Sequence, residues 1–393
     1  MGFFSGRVSC VRFRVEGPAP GLFGPEQLDR LAAFAIGQQR VASADGVQVG
    51  WSAGDHILDT TFTLEKNIIH DALHFALRVD TQKVPGDLWR AYTHIELEAA
   101  AAENPSGRPS MRQKREARAA ARERLEQEAA DGRFLQRKLY PVLWDGQAHE
   151  LLFGSLSVGA LDRMRPLFQK TFGMGLELLS AGRQAFLQAE ARQQTRGVDD
   201  AAPSAFVQGS ALAELAWLPD DRQRDFLGNE FLLWLWYALD DESDTIPLAD
   251  GSEVTGMMTR TLVLECPRGQ TGRESIHSDA PGRLPEARRA IQTGKLPRKA
   301  GLTLVRHDQP YELTLQGESL AISSAKLPPV EGADDRARLE ERMTQIRQLL
   351  ETLDLLYDAF GQRRLSDNWP KELAKMQHWL RQTGGSYRRA GNE

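Results

Sequence analysis

The stretch that decides the fold runs from Arg108 to Leu179. It opens with RPSMRQKREARAAARERLEQEAADG (108–132) and continues with YPVLW (140–144), HELLF (149–153), GALDRMRPLFQKTF (159–172) and LELL (176–179). The first segment consists mainly of residues that favour a helix, and the later ones follow as strand, helix and strand. A long helix before a compact strand–helix–strand unit predicts an α+β fold with mixed sheets and flanking helices.

The opening helix of this stretch is strongly basic. Pro109 and Ser110 are typical of a helix start, and Gly132 is typical of a stop. The helical repeat places several cations on one face or beside it: Arg108, Arg112, Arg115 and Arg122 share the face, and Lys114 and Arg118 flank it. The glutamates become more frequent towards the C-terminal end, which opposes the preference of the helix dipole. Local helix stability alone therefore does not explain the arrangement.

Two interpretations of this helix stay open. It is either a solvated surface with i,i+4 ion pairs such as Arg112–Glu116, or a stripe that contacts phosphates. A second helix is predicted from about Gly86 to Ala102, and the turn NPSG (104–107) joins the two. Helices connected in this way predict a hairpin that projects from the body of the protein.

Length and composition indicate a soluble protein of two or three domains. The chain has 393 residues, 41% of them apolar and 26% charged. A net charge of −5 excludes a general positive coat but leaves room for a local basic channel. Cys10 and Cys266, the only cysteines, exclude a disulfide framework. Arginines interrupt the N-terminus, so it is no signal peptide, and the apolar run 231–239 is too short for a bilayer. We expect a cytoplasmic protein with no membrane partner.

The N-terminal part predicts strands at 3–15, 47–51 and 60–64 and a helix over 25–36. The segment NIIHDALHFALRV (67–79) is ambiguous. On a helix, His70 and His74 would lie one turn apart and could bind a metal, whereas the alternation after Leu73 favours a strand. No third ligand is evident, so the sequence predicts no metal.

The middle of the chain predicts a polar linker over 190–224 and then a helix over 226–239 that is apolar on all sides. Such a helix is buried in a core or, as the alternative, lines a ligand pocket. An acidic cluster follows it, formed by Asp240, Asp241, Glu242 and Asp244. This cluster is either a divalent-metal site or a solvated turn.

The C-terminal part predicts a strand at 261–266, a helix at 286–293 and a β-meander whose leading loop carries Lys295, Arg298 and Lys299. A seam of apolar residues then recurs in steps of four and three: Leu339, Met343, Ile346, Leu350, Leu353, Tyr357 and Phe360. This seam packs on the body of the protein or on a second subunit. A last helix is predicted near Pro370.

Several short motifs, in order, resemble those of the bacterial RdgC family of recombination-associated DNA-binding proteins. They are Val49-Gly50-Trp51, Lys83-Val84-Pro85, Leu139-Tyr140-Pro141 after the basic helix, Leu167 to Gly173 in the strand–helix–strand unit, and Ile291 to Lys299 before the meander. The resemblance covers about residues 1–182 and 258–361. It departs from the family at Val142-Leu143-Trp144, which replaces Arg-Ala-Phe, and at 183–257 and the C-terminal extension, which are unmatched.

The resemblance implies an RdgC-like fold with a defined domain order. The expected parts are an N-terminal α+β part of a central domain (1–84), a projecting helical hairpin (85–138), a βαβ unit of the central domain (139–182), an atypical insertion with a Trp-rich helix (183–257), a base with the meander and long helix (258–361), and a helical extension with a tail (362–393).

The resemblance also implies a function. The family's members are ring-shaped homodimers that encircle double-stranded DNA without sequence preference and limit the loading of a RecA-type recombinase. We therefore expect a nucleoid-associated protein without catalytic activity or cofactor. The expected DNA contacts are Lys83, Arg112, Lys114, Arg115, Arg118, Arg122, Lys295, Arg298 and Lys299. The expected dimer contacts are Trp144, Leu350 and Tyr357.

Two functions of other classes remain as alternatives. The first is a metal-dependent nuclease that uses the acidic cluster, although the sequence has no P-loop and no zinc spacing. The second is a protein-binding scaffold that docks partners on the Trp-rich helix, around Trp234, and on the apolar seam.

Overall fold

A computed structural model describes residues 2–18, 21–38, 46–207, 223–266 and 272–382. These residues form an α+β structure, as predicted, with an open sheet and helices packed around it. The strands are β1 (Val8–Val15), β2 (Val47–Ser52), β3 (Ile68–Ile69), β4 (Ala72–Gln82), β5 (Leu135–Asp145), β6 (Glu150–Phe153), β7 (Leu176–Leu178), β8 (Thr245–Pro247), β9 (Glu253–Glu265), β10 (Arg273–Ser278), β11 (Leu296–Arg306), β12 (Gln309–Gln316) and β13 (Ile322–Lys326).

The helices follow in the same chain order. They are α1 (Pro25–Ala33), α2 (Leu64–Asn67), α3 (Gly86–Ala102), α4 (Met111–Ala130), α5 (Val158–Phe172), α6 (Ala181–Ala191), α7 (Thr195–Asp199), α8 (Phe226–Tyr237), α9 (Pro285–Gln292), α10 (Asp335–Arg364) and α11 (Trp369–Arg381). One π-helical turn, Ala238–Glu242, continues α8. No helix within the described residues is long and apolar enough to cross a membrane.

The sheet has the order β10-β9-β11-β12-β13-β1-β6-β5-β4-β2, and its described neighbours are antiparallel. Strand β1 joins its two halves, because Val8 and Cys10 pair with β13 whereas Val11 to Arg14 pair with β6. The predicted mixed sheets are therefore corrected. In the strand–helix–strand unit, β6 and β7 both run antiparallel to β1, which lies between them.

Two hydrophobic cores fill the two halves. The N-terminal core packs α1 and α5 on β1, β4, β5 and β6, with Trp144 and Phe168 near its centre. The C-terminal core surrounds α8, whose residues are all buried because no face of this helix is polar. The buried-helix prediction for 226–239 is confirmed through Ala238.

The long helix α10 spans both halves and confirms that the apolar seam packs on the chain's own body. Asp334 caps its first turn by accepting the N–H of Ala337 at 2.7 Å. Met343, Ile346, Leu353, Tyr357 and Phe360 are buried, whereas Leu339 and Leu350 are partly buried. Ion pairs from the middle of α10 reach both halves of the sheet: Arg347 pairs with Asp145 of β5, and Glu351 pairs with Arg306 of β11.

The ambiguous segment is mostly strand β4, so its strand interpretation is confirmed, and β4 pairs with β5 over its whole length. Two other local predictions are wrong. Residues 60–63 form no strand, and α2 begins at Leu64. The predicted linker contains the end of α6, α7 and three buried core residues, Val198, Ala201 and Phe206, while its part from 208 to 222 lies outside the described residues. The predicted domain boundary at 138/139 falls inside β5, and the one at 257/258 falls inside β9.

Candidate nucleic-acid interface

A projecting arm carries the basic helix. The arm, residues 79–138, starts as a two-stranded ribbon in which β4 pairs with β5, and the pair Gln82–Leu135 ends the ladder. The N–H of Lys83 donates to the carbonyl of Phe134 at 3.0 Å and extends this ribbon to the root of the helices. Helices α3 and α4 then pack mainly on one another. With 20 residues, α4 is roughly 30 Å long.

Small residues hold the two helices of the arm together. Ala117, Ala121, Leu125 and Ala129 recur every fourth residue of α4 and are its buried positions. They face α3, where Thr93 is buried. Because alanine side chains let helix backbones approach closely, the inner face is complete and the polar side chains of α4 are left to solvent.

Polar contacts fix the arm near its root and at its tip. The hydroxyl of Tyr92 donates to Glu128 at 2.6 Å, and the guanidinium of Arg124 lies 4.1 Å from the Tyr92 ring centre. The hydrogen bond to Glu128 raises the pKa of Tyr92. At the tip, Ser110 and Gln113 form a reciprocal capping box, so α4 starts and stops as predicted.

The predicted cations of α4 are exposed, but they differ in their partners. Arg112 pairs with Glu116 and Arg122 pairs with Glu126, so part of the helix is a solvated surface with i,i+4 ion pairs. A second group, formed by Lys114, Arg115 and Arg118, has no acidic partner among the described residues. Arg108 lies in the turn before the helix, so its predicted place on the helical face is corrected. The ion-paired interpretation is therefore confirmed for Arg112 and Arg122, and the phosphate-contact interpretation stays a prediction for Lys114, Arg115 and Arg118.

Charge is distributed unevenly along the arm. Residues 108–122 contain six basic side chains and one acidic one, whereas residues 96–103, at the end of α3 and its C-cap, contain three acidic side chains and no basic one. The cations lie at the N-terminal half of α4, where the helix dipole disfavours them. Arg115 and Arg118 are i,i+3 neighbours, so they concentrate positive charge on one stretch of surface.

The root of the arm adds two cations that the sequence analysis missed, one in the turn before β5 and one on β5 itself. Arg133 and Lys138 are exposed, and no acid in the described part of the chain pairs with them. Directly opposite residues of a ribbon share a face, so the pairs Lys83–Phe134 and Val79–Lys138 put both lysines on one side, roughly 13 Å apart. The three basic residues in GRFLQRKLY (132–140), with no acidic one among them, were the available signal.

The meander does not extend this surface as predicted. Lys295 is only 4% exposed and its Nζ lies 2.8 Å from Glu274, while Arg298 pairs with Glu265 at 2.6 Å. These two predicted DNA contacts are corrected, because their charges are already neutralised within the fold. Lys299 is half-buried on β11 and keeps no acidic partner among the described residues.

Two of the three predicted dimer contacts are also corrected. Trp144 is buried in the N-terminal core, with its ring against Phe23 and Phe168. Tyr357 is buried in the C-terminal core, and its hydroxyl donates to the carbonyl of Ala181 at 2.7 Å. Leu350 is partly buried and leaves some surface on α10.

The alternative sites have other roles. His74 lies on strand β4 and burial lowers its pKa to about 4, while His70 is in the preceding turn. In the acidic cluster, Asp240 pairs with Arg288 and Glu242 pairs with Arg363. No group of three metal-binding side chains occurs in the described ranges.

The Trp-rich helix offers no docking surface, because Trp234 is completely buried. The scaffold hypothesis therefore loses the helix on which it was based. Exposed cations on the arm form the site that remains, on an α+β body in which α3 and α4 pack mainly on one another. Neither the known family models nor the curated proteins include a match to this chain.

Proposed function

We propose that this protein binds double-stranded DNA without sequence preference, with the arm as its contact surface. The observation that carries the proposal is the exposed group Lys114, Arg115 and Arg118, which has no acidic partner among the described residues. Exposed cations without a partner on a projecting helix are free to replace the counterions of a phosphate backbone.

The mechanism is electrostatic. Each phosphate that the arm neutralises releases condensed cations, so the slope of log K against log salt falls by about 0.9 per phosphate contacted. Lys83, Arg133 and Lys138 at the root lie on the same arm and add to this term. Phosphate contacts position a protein without specifying a sequence, so binding without base preference follows.

We further propose, from the resemblance to the RdgC family, a homodimer that encircles DNA and limits loading of a RecA-type recombinase in the nucleoid. One arm from each subunit would face the duplex. The dimer contact cannot use Trp144 or Tyr357, so Leu350 is the one predicted contact left for it. Sedimentation at several protein concentrations tests the dimer, and a protein that stays a monomer would exclude the ring.

A gel-shift titration on blunt duplex DNA tests the DNA proposal. We expect binding at about 50 mM salt that weakens steeply by about 200 mM. The double variant Arg115→Glu/Arg118→Glu should lose most of this binding. Its matched control is Arg196→Glu/Lys371→Glu, which reverses two exposed charges on α7 and α11. Equal loss in both variants, or no binding by the wild type at low salt, contradicts the proposal.

The same samples test whether the protein is a binding protein or an enzyme. We propose no catalytic step, because two of the four acidic residues of the predicted nuclease site, Asp240 and Glu242, are already paired with Arg288 and Arg363. DNA incubated with the protein and Mg²⁺ should stay intact. Cleavage that disappears in Asp241→Ala would instead support the nuclease.

A further inference from the structure

The root of the arm carries an exposed tryptophan. Trp89 is 41% exposed, whereas the other tryptophans in the described ranges are at most 7% exposed. It lies in the first turn of α3, where its N–H donates to the carbonyl of Pro85. A large aromatic side chain at this level of exposure is unusual in a chain that buries its other described tryptophans, and the fold does not need its solvent-facing surface.

Cations that have no acidic partner among the described residues lie near this position. Lys83 precedes Trp89 by three extended residues and one helical turn, so their Cα atoms lie within about 15 Å of each other. Lys138 belongs to the adjacent strand of the ribbon, and Arg133 lies in the turn that leads from α4 into that strand. The acids nearby are mostly engaged, since Asp80 pairs with Arg78 and Asp87 pairs with Arg90, and Asp131 alone is exposed without a basic partner among the described residues.

The indole is held on a rigid support. One turn further along α3, Tyr92 is fixed between Arg124 and Glu128 of α4. Gln82 donates to the carbonyl of Ala129 at 2.5 Å and ties the ribbon to the end of α4. An aromatic side chain on a support of this kind loses little conformational freedom when a flat group stacks on it.

We propose that the root of the arm is a binding site for single-stranded DNA, in which an unpaired base stacks on Trp89 and the adjoining phosphates contact Lys83, Arg133 and Lys138. An aromatic surface flanked by cations is the arrangement that binds single strands without sequence preference. A duplex hides the faces of its bases, so it can use the cations but not the indole. The inference rests on the proposed function. It adds single-stranded DNA as a second ligand, which binds at the root of the arm.

Fluorescence titration with a thymidine oligonucleotide of about 20 bases tests this site. Binding should quench the wild-type tryptophan emission. Trp89→Ala should bind this oligonucleotide roughly tenfold more weakly. Trp89→Phe should keep most of the affinity and lose most of the quenching. Ile95→Ala, which removes another exposed apolar side chain of α3, is the matched control and should behave as the wild type.

Blunt duplex separates this proposal from the previous one. If Trp89→Ala loses the oligonucleotide but binds duplex within about twofold of the wild type, the stacking site is supported. Unchanged oligonucleotide binding in Trp89→Ala, undiminished quenching in Trp89→Phe, or no oligonucleotide binding by the wild type overturns it. If the wild-type protein binds the oligonucleotide but not the duplex, the proposed duplex binding is overturned and the stacking site is not. A ribo-oligonucleotide that binds more tightly than the deoxy form would overturn the assignment to DNA.

Discussion

Arg12 and Asp354, 342 positions apart in the sequence, form a two-pronged ion pair that fastens α10 to the strand joining the two halves of the sheet. Both terminal guanidinium nitrogens of Arg12 donate to Asp354, at 2.6 and 2.7 Å, and Nε of the same guanidinium donates to Glu150 at 3.0 Å. Arg12 is buried, and the two carboxylates raise its pKa against the effect of burial, which lowers it. The charge of Arg12 is therefore kept inside the protein by its partners.

Removal of Asp354 should destabilise the protein. Asp354→Ala leaves a buried guanidinium with one carboxylate, and we expect a loss of about 2–4 kcal/mol in the free energy of unfolding. Urea denaturation measures it. The matched control is Asp335→Ala, which breaks an exposed pair with Arg338 at the start of α10 and should cost less than about 1 kcal/mol. Similar losses in the two variants would mean that the buried pair does not hold α10.

Some parts of this architecture follow from local sequence alone. Ser110 and Gly132 delimit α4 because capping chemistry depends on neighbouring residues, and α8 is buried because no face of it is polar. The junction at β1 could not be predicted, since its partners β6 and β13 lie far along the chain. Lys295 was misassigned for the same reason, because its partner Glu274 comes from another strand.

In the candidate site, too, some features follow from the local sequence and others depend on tertiary packing. The exposure of Lys114, Arg115 and Arg118 follows from the helical repeat, because the buried alanines occupy another face. The exposure of Trp89 could not be predicted, since whether a tryptophan in a first helical turn is covered depends on what packs there.

Asp250 should titrate far below an ordinary aspartate. The hydroxyl and the N–H of Ser252 donate to its carboxylate and Arg306 pairs with it, so the pKa of Asp250 is lowered to about 2. Because the folded-state pKa is depressed, the stability from this carboxylate is present above about pH 4 and is lost as the pH falls towards 2. Carboxyl NMR should show the pKa of Asp250 rising in Ser252→Ala. Ser243→Ala, the control, should leave the pKa of Asp250 unchanged. An unchanged pKa in Ser252→Ala would show that the hydrogen bonds from Ser252 do not lower it.

The helix pairing in the arm should depend on one buried alanine. Ala121→Asp puts an unpaired charge between α3 and α4, and we expect a local loss of roughly 2–4 kcal/mol. Hydrogen exchange should accelerate across the arm while the amides of the two cores keep their protection. Ala120→Asp, an exposed neighbour with the same change in charge, separates packing from charge. Equal acceleration in both variants would show that charge, and not packing, opens the arm.

Two lysines should respond differently to the same substitution. Lys114→Met removes an exposed cation of the arm, so duplex binding should weaken and the magnitude of the salt slope should fall by about 0.9. Lys295→Met removes a lysine that is already paired with Glu274, so DNA affinity and slope should stay unchanged. Binding isotherms at several salt concentrations measure both. A smaller salt slope in Lys295→Met would show that the meander contacts DNA after all. An unchanged salt slope in Lys114→Met would show that this face of the arm does not contact DNA.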